Sequence, residues 1–114
     1  MSNAISEKSF DFAVRVYSLS KQLQQTHREF DLSKQLLRSG TSIGANVAEG
    51  ERAQSKADFI SKMAIALKEA NETDFWLRLL HKVGLIDESD FIGYRKEVNE
   101  LIALLTSITK SAAR

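Results

Sequence analysis

No proline interrupts this chain of 114 residues, and only five glycines are spread along it. Those two residues punctuate the turns that a fold of many short strands needs. Their scarcity leaves long helices as the fold class open to the chain. Cysteine is absent too, which removes disulfides, thiolate zinc sites and thiol catalysis. A chain of this length forms one domain, 1–114, with enough buried surface to need no covalent or metal staple. Apolar residues at 43% and charged residues at 27% support an ordinary packed core rather than disorder.

Nowhere do 18 apolar residues run together, so no helix is expected to span a membrane. The start, Met1-Ser2-Asn3-Ala4, lacks the charged and apolar stretches of a leader. The chain is therefore expected in the cytoplasm. Ser2-Asn3-Ala4 resembles a cloning remnant and is set aside here. Residues 1–5 and 111–114 are expected to be disordered.

Apolar spacing predicts four helices. The first covers about Glu7 to His27, with Ser6 as N-cap, a stripe of Phe12, Val16, Leu19 and Leu23, and a surface pair of Asp11 with Arg15. The second covers about Leu32 to Arg52, with Asp31 as N-cap and a buried stripe of Leu32, Leu36, Ile43 and Val47, Gly40 holding the stripe position between Leu36 and Ile43. Its middle, Arg38 to Gly50, is dominated by glycine, serine, threonine and alanine. Each glycine weakens a helix by roughly 0.5–1 kcal/mol, so a closely packed neighbour must compensate, or the stretch is a loop. The third opens on Ser55-Lys56-Ala57-Asp58, a capping box with Asp in the last place, and ends at Gly84. Phe59, Met63, Ala66, Ala70, Thr73, Leu77 and Leu80 form its stripe, and Asp58 pairs with Lys62. The fourth follows Asp87 as N-cap and carries Phe91, Tyr94, Val98, Leu101, Leu105 and Ile108 at alternating spacings of three and four. Ile102 and Leu104 widen that seam beyond what one bundle face covers, which predicts self-association through the fourth helix. Short connections favour an all-α, antiparallel up-and-down four-helix bundle.

Catalytic constellations are hard to find. No Glu-x-x-His pair exists for a di-iron centre. His81 is a lone ligand at best, or a polar residue at a helix end. Glu69, Glu72 and Asp74 offer carboxylates, but Lys68 lies beside them and an ion-paired face is the simpler account. Serine and threonine lack a histidine to activate them, and Gly40 and Gly44 lack a phosphate-loop ending. No catalytic residue, metal, cofactor or small-molecule substrate is expected.

Binding is the remaining class. Sixteen Lys and Arg against fifteen Asp and Glu leave a net charge of +1, so bulk charge does not mark a nucleic-acid binder. Locally, Arg15, Lys34, Arg38, Arg52 and Lys56 are candidates for one phosphate-contacting surface, or for an ordinary solvated face. The aromatic residues fall mostly on buried stripes, which predicts little base stacking. A second group, Ser39, Gly40, Ser42, Gly44, Asn46, Glu69 and Glu72, reads as a helix-packing motif in which Asn46, Glu69 and Glu72 join the second and third helices.

The run from Leu36 to Gly50, with Ser55 to Ile60 and Ala66 to Thr73, closely resembles the bacterial four-helix-bundle family named for intervening sequences of 23S ribosomal RNA genes. The resemblance spans about Phe10 to Leu85. It implies an antiparallel bundle that assembles as a ring of five and has no established reaction. It also implies RNA or a nucleoprotein as a possible partner. A related branch, the accessory variability proteins of diversity-generating retroelements, is strongly basic where this chain is near neutral. A scaffold that binds another protein and no nucleic acid is the alternative.

Overall fold

A computed structural model describes residues 3–113. Four helices follow one another: α1 (Ala4–His27), α2 (Asp31–Glu51), α3 (Lys56–Lys82) and α4 (Glu88–Ala113). They form an elongated all-α four-helix bundle measuring 44 × 22 × 20 Å. Chain neighbours α1–α2, α2–α3 and α3–α4 pack extensively, α4 meets α1 only slightly, and α1 and α3 do not meet, which places those two diagonally opposite.

The helix boundaries follow from their caps. Asn3, not Ser6, caps α1: its Oδ1 accepts a hydrogen bond from the Ser6 amide at 2.9 Å. Ala4 and Ile5 are therefore helical, and Ile5 is buried, contrary to disorder across 1–5. At the other end α4 continues through Ala113, so 111–113 are ordered helix. Met1, Ser2 and Arg114 lie outside the described residues. In the first connection Asp31 is already helical, and Glu29 takes the capping role by accepting from the Leu32 amide at 2.9 Å. This carboxylate, one residue before the N-cap Phe30, reaches the same orphan donors. Arg28 before it is left-handed at φ 55°, a conformation that costs a non-glycine residue about 1 kcal/mol or more.

Ser55 caps α3 through the Asp58 amide at 3.0 Å, but Asp58 reaches back to Gln54 rather than closing the box on Ser55. Gly84, at φ +82°, ends the helix with the Leu85 amide bonded to the Leu80 carbonyl. Asp87 caps α4 through the Asp90 amide at 2.8 Å.

The stripes on α1 to α3 are buried as spaced, except that Leu32 and Phe59 are only partly covered, and a single apolar core joins all four helices. On α4 only Val98, Leu101 and Leu105 are fully buried; Phe91, Tyr94, Ile102, Leu104 and Ile108 pack at its margin. No described helix is long and apolar enough to cross a membrane.

Candidate functional site

The small-residue stretch of α2 is helical and is gripped from two sides. A Cβ on Gly40 would lie 2.7 Å from a methyl of buried Val16, and one on Gly44 would lie 3.2 Å from the backbone oxygen of Ser9. Both glycines thus let α1 approach closely. Gly50, at the end of the same stretch, does this for α3: a Cβ there would meet the Met63 methyl at 2.8 Å.

The face turned to α3 is polar and satisfied. Ser39 and Thr73 are buried with their hydroxyls 2.9 Å apart, and Thr73 also donates to the Glu69 carbonyl at 2.8 Å. Arg38 spans the seam, with Nη1 3.2 Å from Glu69 and Nη2 on Glu72. Trp76 donates its indole N–H to the same Glu72 at 3.0 Å. Glu69 and Glu72 therefore join α2 to α3 through Arg38. Ser42 and Asn46 do not: Ser42 donates to the Arg38 carbonyl and Asn46 to the Ser42 carbonyl, both within α2. Side chains this short find a carbonyl one turn back more easily than one on a neighbouring helix.

The five basic candidates are not brought together. Arg38 is committed to its two glutamates. Arg15 turns from Asp11 to α4, where its Nε lies 2.7 Å from Glu97 and its guanidinium sits 4.5 Å from the Tyr94 ring centre. Lys34 and Arg52 are exposed but 18 residues apart on one helical axis, about 27 Å at the helical rise. Lys56 begins α3 beside Arg52, at the opposite end of the bundle from Lys34.

The α1–α4 seam is a band of charge. Lys8 meets Glu100 at 3.2 Å, and a cleft of about 180 Å³ opens between them, lined also by Asp11 and Glu97. Burial pushes the Glu97 carboxyl above its ordinary value and outweighs the attraction of Arg15. Burial likewise raises Tyr94, with Arg15 opposing. His81 bonds Glu88 at 2.6 Å and stacks on Phe91 at 4.0 Å, tying the end of α3 to the start of α4.

The apolar residues left outside belong mainly to α1 and α3, not to α4. Phe10, Val14 and Tyr17 are 68%, 52% and 52% exposed, one turn apart on one face of α1. Phe75 and Ile65 are exposed on α3, and Ile92 is the large apolar side chain that α4 exposes. Aromatic surface is therefore more plentiful than the buried stripes implied, since Phe30 is exposed as well. Period alone marked Phe12, Val16 and Leu19 as one face; Phe10, Val14 and Tyr17 form a second stripe on the same helix that went unread.

A comparison with curated proteins finds no match. Among solved structures, a protein of unknown function from the S23 ribosomal protein family of Bacteroides thetaiotaomicron is 50% identical, with a TM-score of 0.93 over 94% of this chain and 99% of that one. The family model of the 23S rRNA-intervening sequence protein matches residues 1–107. With nearly the whole chain matched and the bundle shared, this protein belongs to the 23S rRNA-intervening sequence protein family.

Proposed function

We propose that this protein is a non-catalytic helical bundle that works by assembling with copies of itself into a scaffold. The observation that carries this is the Phe10, Val14 and Tyr17 stripe, a contiguous apolar face that nothing in the bundle covers. A complementary surface lies on the diagonal helix. There Phe75 and Leu79 line a groove of about 350 Å³ flanked by Arg78 and Lys82. Glu7 and Asp11 flank Phe10 on α1. Acid beside the stripe and base beside the groove favour docking of one copy's α1 on the next copy's α3. Because the two surfaces are different, the contact is head-to-tail, which closes as a ring when the rotation from copy to copy divides a full turn. The family resemblance favours five copies.

Light scattering on the intact chain tests this. The expected mass is a multiple of 12.8 kDa. The double variant Phe10→Ser, Tyr17→Ser should return a monomer with unchanged helicity. A monomeric wild-type protein at micromolar concentration would rule the proposal out.

RNA or a nucleoprotein is a second candidate partner. Arg28 stacks 5.4 Å over exposed Phe30, a cation and ring open to a base. One copy offers few free cations, but a ring would multiply Lys34 and Arg52 and supply avidity. Binding of this kind is weakly sequence-specific and steeply salt-dependent. Lys34→Glu with Arg52→Glu should abolish RNA retention at low salt and leave the assembled mass unchanged. Absence of retention by the wild type would leave the scaffold alone.

A further inference from the structure

Where α1 and α3 begin and α2 and α4 end, an apolar cavity of about 320 Å³ lies between the helices. Its wall is made by Ile5, Phe59, Met63, Leu104 and Ile108, with Ala4 at the mouth. Ile5 of α1 and Leu104 and Ile108 of α4 line it together, and those two helices meet only slightly. An apolar cavity of 150 Å³ is enough to hold benzene, and this one has room for about ten water-sized groups. It reaches the lower end of the range of natural ligand pockets, which are mostly apolar with a few placed polar groups.

The polar group here is Glu51. It is the last residue of α2, where the helix dipole is negative and the last turn holds no basic residue. Its two oxygens accept from neutral donors, the Ser6 hydroxyl at 3.1 Å and the Asn3 amide at 3.3 Å. Those bonds hold the carboxylate beside the cavity, and among the described residues no cation pairs with it. We infer that the cavity is a binding site for a small amphipathic amine, whose aliphatic tail of about six to eight carbons lies among Met63, Leu104 and Ile108 and whose ammonium meets Glu51. The site lies at the end of the bundle, and neither the Phe10 stripe nor the Phe75 groove supplies any of its lining.

Calorimetric titration of the full chain with n-alkylamines tests the assignment. Saturable one-site binding is expected, tightening about fourfold per methylene from butylamine to octylamine, the transfer value of a buried CH₂. Octanol should bind about two- to fivefold more weakly, because the ion pair at Glu51 is near the surface, and octanoate more weakly still. Glu51→Gln should erase the preference for amine over alcohol while keeping the chain-length dependence. Ala4→Phe, which fills the mouth at an exposed helical position, should abolish binding with the helical signal and the assembled mass unchanged. Absence of saturable binding, binding that survives Ala4→Phe, or octanol or octanoate binding as tightly as octylamine would each overturn the proposal. So would a change of assembled mass in Ala4→Phe, since a neighbouring copy would then occupy the cavity.

Discussion

Helices α2 and α4 reverse what their sequences suggest. α4 carries the cleanest apolar repeat of the chain, yet buries only Val98, Leu101 and Leu105. α2 is interrupted by glycine and serine and buries seven residues, including Ser33, Ser39, Gly40 and Gly50. The difference lies in how close a neighbour can come. Gly40, Gly44 and Gly50 let α1 and α3 approach the α2 backbone, and the dispersion and desolvation gained there offset the weak helix propensity. α4 has the apolar side chains but packs firmly against α3 alone, with a band of ion pairs toward α1. Apolar content therefore says what is available for burial, and small residues say where burial is completed.

The sharpest way to break this comparison is Gly40→Leu. Val16, which its Cβ would strike, is β-branched and fully buried, so it has little freedom to retreat. Overpacking should cost about 3 kcal/mol, a fall in Tm of roughly 10 °C or more on thermal denaturation. A loss under about 1 kcal/mol would mean that α1 and α2 are not in close contact.

Arg38→Ala should come next, at about 1 kcal/mol, because Glu69 is well covered and would keep its charge without its partner. Chemical denaturation measures it, and an intact Glu69→Gln, Arg38→Ala double variant would show that the cost lies in the orphaned carboxylate. Arg15→Ala removes an ion pair of similar length from the α1–α4 seam. There it should cost less than Arg38→Ala, about 0.5 kcal/mol, and the loss should shrink in high salt because the seam is open to solvent. Equal losses for the two arginines would erase the distinction between the seams.

The smallest effect is one of pH. Burial raises the folded-state pKa of Glu97 above its ordinary 4.5, so the folded protein holds that proton more tightly than the unfolded chain. Its contribution to stability is therefore present at acid pH and lost as pH rises through the raised value. Relative to Glu97→Gln, the wild type should lose stability as pH climbs above 4.5. A difference that is flat or of opposite sign would mean that Arg15, not burial, dominates the site.

Most of the bundle was legible because its stripes obey one period: Phe12, Val16, Leu36, Ile43, Met63 and Leu77 all fall inside as spaced. The caps were partly legible. Ser55 and Asp87 sit directly before an apolar repeat, whereas Asn3 was set aside with residues of uncertain origin and Glu29 caps from an unusual position. Left-handed Arg28 gave no signal, since glycine or asparagine is the residue that marks such a site. The basic surface was illegible for another reason. Charge counts cannot tell an arginine aimed at solvent from Arg15 or Arg38, whose carboxylate partners lie 82 and 31 or more residues away in the chain. The exposed apolar stripe was missed because Phe10, Val14 and Tyr17 are interleaved with the core stripe two residues on.

Native-state hydrogen exchange tests the contrast between α2 and α4 most directly. Amides of α2 between Leu36 and Val47 should open only with global unfolding, held from both sides. Amides of α4 should exchange through a partial opening of lower free energy, in which that helix leaves α3 and the α1 seam while α1, α2 and α3 stay together. Uniform protection of α2 and α4, or earlier exchange in α2, would contradict the account.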